Sequence, residues 1–520
     1  MEEWTETAKE DEVEPGKVYR FDVEGEKVLV TRLGGKVRAY GHECPHYHAP
    51  LSEGILHDGE ITCPWHNAKF DLQSGELVSP PALDDLPVYD VKTEGGQIFV
   101  RGGGKRRIEM PGGSDSRRFL IVGGGAAGAA AAENLRREGF AGEVLMLIAD
   151  SDAPYDRTML SKGLLSGADP AKYLPLRGAK FYERLQIQIQ TNTRVVKLDP
   201  GKLAATLADG SELEADEILL ATGGVARKLP IEGIDLEHCY SLRSAADARA
   251  VIARMESLKD SEKKAVILGA GFIGLEAAAS LIQRGFEVHV VAPEAEPMSL
   301  QFGSRIGKRI RGLHEGKGVH FHMGQRAQRI MGDEQVRSVR LEDGAELEAL
   351  LVLYAFGVEP ATRFLKDTGL LEDGAVAVDE TLRTGAAHIY AAGDIALVPY
   401  AGGHSERVEH WVEAQRQGRH AALSMLGGRN PYRSVPFFWT NQYDGKIKYV
   451  GFPSAAELIA YRGDVDSGSF VAGLYAIDGR LVGVAGMAAD AELLAAERVL
   501  RRGEDISCED FPASPVWEER

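Results

Sequence analysis

The sequence predicts a multidomain chain: an all-β module at the N-terminus, two α/β domains with one inserted into the other, and a C-terminal α+β cap. Three observations carry this. Up to Val100, strand-sized alternating runs such as Lys27-Val-Leu-Val-Thr31 and Gln97-Ile-Phe-Val100 are separated by Gly, Asp and Pro turns. Two stretches, Phe119 to Gly128 and Ala265 to Glu276, each run from an apolar strand through a glycine turn into a helix, a weak internal repeat. From about Val435 the pattern turns mixed, beginning Pro436-Phe-Phe-Trp439-Thr-Asn-Gln-Tyr443.

At 520 residues the chain exceeds what one core can serve. The expected divisions are 1–104 for the all-β module, 105–116 for a Gly-rich, locally basic linker, 117–244 and 375–433 for the two parts of the first α/β domain, 245–374 for the inserted one, and 434–520 for the cap. Composition is that of a soluble globular protein, 44% hydrophobic and 27% charged. A net charge of -18 argues against nucleic acid or anionic membrane as partner, since both repel it. The segment from Met1 to Gly16 lacks the apolar centre of a signal peptide, and no apolar run reaches the roughly 18 residues of a membrane span. With four cysteines there is no disulfide framework, so a cytoplasmic location is expected. Nothing in the sequence indicates the oligomeric state.

The β-rich module holds two loops, Cys44-Pro-His46-Tyr-His48-Ala-Pro-Leu51 and Cys63-Pro-Trp65-His66-Asn67. Two thiolates and two imidazoles at this spacing suit zinc or an iron-sulfur cluster. Zinc fingers pair Cys with Cys and His with His, whereas each loop here brings one of each, which suits two irons, one on the cysteines and one on the histidines. The segment from about residue 15 to 102 resembles the Rieske family, specifically Rieske-type ferredoxins. The resemblance implies an all-β Rieske domain with Cys44, His46, Cys63 and His66 as ligands of a 2Fe-2S cluster. Two residues depart from the family pattern: His48 and Asn67 stand where glycine is usual. Both types are enriched at positive φ, so the loops are expected to close. His42, His48 and His57 are read as loop residues outside the ligand set.

In the first α/β domain, Gly123-x-Gly125-x-x-Gly128 follows a strand and opens a helix, with Asp150 beyond the next strand. This is a Rossmann-like dinucleotide cradle: the glycines admit a pyrophosphate at the helix N-terminus and the acid takes ribose hydroxyls. The stretch Pro154-Tyr-Asp-Arg157-Thr-Met-Leu-Ser-Lys162 resembles flavoprotein reductases related to the ferredoxin reductases of aromatic-ring dioxygenases and to apoptosis-inducing factor. That resemblance implies FAD, with Arg157 holding it, Lys162 beside the isoalloxazine, Val195 at the adenine and Asp394 of Ile389-Tyr-Ala-Ala-Gly-Asp394 at the ribityl chain. It also matches Ala221-Thr-Gly223 with Arg227 just after. From the residues alone, Lys162 is equally a solvated lysine.

The second cradle, Gly269-x-Gly271-x-x-Gly274, calls for a second dinucleotide, NADH or NADPH. Glu294 is the nearest acid after the following strand and no arginine lies close by in sequence, which argues for NADH. Glu276 resembles the family glutamate near the nicotinamide, with an ordinary helix-surface acid as the other reading. Gly357 lies in a segment resembling the second nucleotide contact. His410 and Trp439 are candidates beside the flavin ring, although Trp439 also suits a plain core aromatic. Together these imply an FAD-dependent NAD(P)H oxidoreductase that passes electrons through the fused cluster to an external acceptor the sequence does not name. The rival expectations are a redox-regulated binding protein, or a dedicated electron supplier to an oxygenase or nitrite reductase.

Overall fold

The computed structural model describes residues 3–104, 108–169, 172, 174–400, 404–443, 445–453 and 456–518. Lys105, Arg106 and Arg107, on which the linker's basic character rests, lie outside them. The chain divides into two compact units, Met1–Glu109 with Trp517–Arg520, and Met110–Val516.

The first unit is all β. Val18–Val23, Glu26–Leu33 and Lys36–Gly41 form an antiparallel meander, continued by Val88–Glu94, Gln97–Gly104 and Thr5–Lys9 into a six-stranded sheet. A four-stranded sheet of short strands, Ile55–His57, Glu60–Thr62, Lys69–Asp71 and Leu77–Ser79, carries the second Cys–His loop, while the first follows Lys36–Gly41 of the larger sheet. The Cys63 loop connects the second and third strands of the smaller sheet. Leu29, Tyr40, Ile61, Phe70 and Leu72 fill the core beneath both cysteines, and the Tyr40 hydroxyl donates to the Leu72 carbonyl at 2.5 Å, tying the larger sheet to the smaller.

The second unit contains two parallel five-stranded sheets. The first runs Ile187–Gln190, Glu143–Leu147, Arg118–Val122, Glu217–Leu220, Ile389–Ala391. Its last strand comes from beyond the second sheet in sequence, so one α/β domain is set into the other. The second sheet runs Cys239–Tyr240, Leu351–Tyr354, Lys264–Leu268, Glu287–Ala292, Val319–Met323. Phe119, Leu120 and Ile121 are fully buried, as strands covered on both faces require, which is why these runs lack polar alternation. The cap is a five-stranded antiparallel sheet, from the edge strand Phe437–Gln442 to Leu458–Asp464, with the helix Asp490–Arg502 packed on it. No helix among the described residues is long and apolar enough to cross a membrane.

Candidate functional site

In the first unit the two metal-motif loops are built alike. Cys44 N–H donates to Ala49 O at 2.9 Å and Cys44 O accepts from His48 N–H at 2.9 Å; Cys63 N–H donates to Ala68 O at 2.8 Å and Cys63 O accepts from Asn67 N–H at 3.2 Å. Each loop turns back on itself at a positive φ, 60° at His48 and 63° at Asn67. The two departures from glycine are therefore in the conformation that glycine would supply. Both cysteines are buried, and the Cys44 thiol is pushed up in pKa by its hydrogen bond with Cys63 and then by burial. His46 and His66 turn Nδ1 toward Nδ1 at 3.2 Å.

The four donors thus form a sulfur pair and a nitrogen pair. Among the described residues no three Cys, His, Asp or Glu side chains converge on one ion position. Paired donors fit a two-iron cluster, whose irons take two protein ligands each. The other nearby histidines are engaged elsewhere, His42 with Ser52 at 2.7 Å, His48 with Glu43 and His57 with Asp58.

The two cradles of the second unit repeat each other atom for atom. Gly123 N–H donates to Leu147 O at 2.8 Å and Gly269 N–H to Val291 O at 2.9 Å. Gly123 has φ 118° and a Cβ there would lie 2.2 Å from Ala221 O; Gly269 has φ 114° and its Cβ would lie 2.5 Å from Ala355 O. The third glycines bring the helix onto the turn, since Cβ atoms on Gly128 and Gly274 would stand 2.0 and 2.2 Å from the carbonyl oxygens of Gly123 and Gly269. Around the middle ones, Gly125 and Gly271, the space within 4 Å is open. Each of these begins a helix, Ala126–Arg137 or Phe272–Gln283, that has neither a side-chain cap nor an acid in its first turn. Open space before unpaired N–H groups fits a pyrophosphate.

Around the first cradle the sequence-distant residues meet through one arginine. Asp150 accepts from Tyr155 Oη at 2.9 Å and from Arg157 at 3.0 Å. Arg157 also donates to the Arg243 carbonyl at 2.7 Å, and the Arg243 guanidinium donates to Asp394 at 2.9 Å. Gly393 sits against the cradle helix, its hypothetical Cβ 3.2 Å from that of Ala127, and its N–H donates to Gln417 at 2.7 Å. Val195 is buried at the start of the strand Val195–Asp199. The Arg227 side chain is exposed while its N–H donates to Gly357 O at 2.9 Å, beside the pairing of Gly224–Ala226 with Val358–Pro360. Glu294 is half-buried, its carbonyl accepting from Gly324 N–H at 2.9 Å.

Where the α/β domains and the cap meet, Lys162 in the short π-helical turn Leu160–Leu164 pairs with Glu276 at 2.8 Å. The buried Glu276 carboxylate also accepts from Ser161 Oγ at 2.6 Å and Thr440 Oγ1 at 2.8 Å. Close by, His410 packs on Phe438 with ring centres 4.6 Å apart and hydrogen bonds through Nε2 to the Tyr449 hydroxyl, while its Nδ1 is buried without a partner. Burial pushes the ring's pKa down to about 4.

Trp439 lies on the edge strand Phe437–Gln442 of the cap and is buried. Alternate residues of a strand face opposite ways, and Trp439 stacks on Phe437 on the face opposite Phe438 and Thr440. Phe438 meets His410 and Thr440 meets Glu276.

Residues 117–418 match the family described as pyridine nucleotide-disulphide oxidoreductase, a span longer than half the chain. The chain belongs to that family. Residues 3–90 match the Rieske [2Fe-2S] domain and 437–513 the reductase C-terminal domain. Apoptosis-inducing factor 3 of Mus musculus is 33% identical, over 95% of this chain and 84% of its own. Rhodocoxin reductase of Rhodococcus erythropolis is 33% identical over 71% of this chain and 86% of its own. The crystal structure of the ferredoxin reductase for the CYP199A2 system from Rhodopseudomonas palustris is similar with TM-score 0.72 and 31% identity, covering 77% of this chain and 98% of that one.

This pyridine nucleotide-disulphide oxidoreductase relative is thus an FAD-dependent NAD(P)H oxidoreductase fused to a Rieske 2Fe-2S domain, and it delivers electrons to that cluster. The disulphide of the family name has no counterpart in residues 117–418, where Cys239 is the one cysteine of the sequence. Sequence reading missed Arg243, Thr440 and Gln417. Arg243 was within reach, since it precedes Ser244-x-x-Asp247, which forms a capping box. Thr440 follows from strand alternation once Glu276 is known to lie opposite.

Proposed function

We propose that this oxidoreductase takes hydride from NADH at the junction of Lys162 and Glu276 and hands single electrons through Cys44, Cys63, His46 and His66 to an external acceptor. The observation that carries the reading is the ion pair itself: Lys162, expected on the flavin side, and Glu276, expected on the nicotinamide side, meet at 2.8 Å although they lie far apart in sequence. FAD, when bound, supplies the conversion of a two-electron hydride into the single electrons that a 2Fe-2S cluster accepts. The residues do the rest. Gly123, Gly125 and Gly128 with Arg157, Arg243 and Asp394 would hold the flavin dinucleotide, with Asp150 and Val195 toward its adenosine end and Arg227 near the rim. Gly269, Gly271, Gly274, Glu294 and Gly357 would hold the nicotinamide dinucleotide.

Buried among aromatics, His410 stays neutral at ordinary pH and presents an unpaired Nδ1 as a hydrogen-bonding group. Trp439, stacked on Phe437, is the second aromatic candidate beside the flavin ring. The divisions at 104, 116, 244, 374 and 433 separate these roles along the chain, and a cytoplasmic location supplies the NADH.

The test is an anaerobic titration of the holoprotein with NADH and NADPH side by side. NADH is expected to bleach the flavin and raise a Rieske-type electron-spin signal; a bleached flavin beside a cluster that stays oxidised would sink the reading. A second reading, a redox-regulated binding protein, is favoured by one observation, the near full-length match to a relative named apoptosis-inducing factor 3. A long-lived NADH-reduced complex that scarcely turns over with a one-electron acceptor would select it.

A further inference from the structure

His314, on the helix Ser299–Glu315, is fully buried and belongs to no motif. Its Nε2 donates to Gln442 Oε1 at 2.7 Å, Gln442 Nε2 donates to Thr440 Oγ1 at 2.7 Å, and the Thr440 hydroxyl donates to Glu276 Oε1 at 2.8 Å. Thr440 and Gln442 are as buried as His314. The polarity of this row is forced from one end. An ionised carboxylate only accepts, so Thr440 must donate to it; the hydroxyl is then free to accept from the Gln442 amide nitrogen; and the amide oxygen is left for an imidazole N–H. The same logic assigns the proton of His314 to Nε2 and leaves Nδ1 buried without a partner. Burial pushes the ring's pKa down to about 4, so the donor remains neutral.

Three polar side chains buried in a line are costly compared with apolar residues of the same size, unless the line fixes something. What it reaches is the carboxylate whose other oxygen accepts from Ser161 at 2.6 Å and pairs with Lys162 at 2.8 Å. Ser280 Oγ donates to the Ser161 carbonyl at 2.9 Å, so the segment carrying Lys162 is itself pinned to the helix that carries Glu276. The remaining freedom is rotation of the carboxylate, and Thr440 removes it.

Resting on the reading that hydride passes at this junction, we propose that Thr440, Gln442 and His314 are positioning residues for hydride transfer, a buried row that holds Glu276 Oε1 so that Oε2 keeps the Lys162 ammonium in register. All three side chains are fully buried, so the effect is on the rate of hydride transfer and not on retention of either dinucleotide.

The experiment is anaerobic rapid mixing of the holoprotein with NADH, reading the limiting rate of flavin bleaching and the half-saturating NADH concentration separately. Thr440→Val, which keeps shape and removes the hydroxyl, is expected to lower the limiting rate about tenfold, the scale of one hydrogen bond to a charged group, with half-saturation within about twofold and FAD retained. Thr440→Ser restores the rate to within about threefold of wild type. His314→Leu lowers it in the same direction and His314→Gln, which keeps a donor for Gln442, restores it. A limiting rate within about twofold of wild type in both Thr440→Val and His314→Leu overturns the proposal. Equal losses in the conservative and apolar variants overturn it too, because they mean packing alone. Should Thr440→Val fail to fold, the His314 pair decides by the same criterion. Wild-type flavin left unbleached by both NADH and NADPH would instead defeat the hydride-transfer reading itself.

Discussion

Gly125 and Gly128 belong to one turn and differ in what their missing side chains leave room for. A Cβ on Gly128 would collide with the Gly123 carbonyl oxygen at 2.0 Å, whereas the space around Gly125 is open. Gly128→Ala should therefore push the helix off the turn, at a cost of about 1–3 kcal/mol, and lower the melting temperature of the second unit. Gly125→Ala should lose FAD, because its methyl fills the space the pyrophosphate needs, yet melt like wild-type protein stripped of FAD. Calorimetry and the FAD absorbance of the purified protein separate the two outcomes. His314 makes a prediction of another kind. Its pKa in the folded protein is about 4 against an ordinary 6.5. Between those values the unfolded chain binds the proton that the folded one excludes, so stability falls as pH drops from 6.5 toward 4, by up to about 1.4 kcal/mol per unit. Urea unfolding at pH 7 and pH 5 should show a smaller difference in His314→Gln than in wild type.

The two loops of the Rieske domain are one design used twice: a cysteine whose N–H and carbonyl both bond within the loop, and a residue at positive φ that closes it. That closing residue is His48 in one and Asn67 in the other. Asn67→Ala should strain the left-handed turn by about 1–2 kcal/mol and Asn67→Gly should not, which thermal loss of the cluster's visible absorbance would register. The helix Trp411–Met425 works similarly for the flavin cradle. Its Gly418 lies so close to the cradle helix that a Cβ would stand 2.1 Å from the Ala127 carbonyl oxygen, while the adjacent Gln417 accepts from Gly393 N–H. A helix late in the chain thereby fixes the N-terminal end of one formed early.

At the scale of the whole molecule, the reductase relatives match about three quarters of the chain, while the apoptosis-inducing factor relative matches nearly all of it. The fused cluster thus separates hydride acceptance from electron delivery. His66→Ala is expected to abolish the Rieske electron-spin signal and the reduction of an added one-electron acceptor, while NADH still bleaches the flavin. Loss of bleaching in that variant would mean that the cluster domain is needed for hydride transfer as well.

By itself the sequence determined the local signals: two Cys–His loops, two glycine turns, the stretch from Pro154 to Lys162, and the fold class they imply. Each of these is a contiguous signal, in which spacing along the chain is spacing in space. The order of the sheets was legible in part for the same reason, since Ile389–Ala391 resembles the strand that completes the first sheet. Only the tertiary structure decided what is built across distance. It brought Arg243 between Arg157 and Asp394, set Lys162 on Glu276, and turned Phe438 and Thr440 toward His410 and Glu276. A strand's alternation says which residues share a face but not which face meets the partner, and that choice is made by packing among segments hundreds of residues apart.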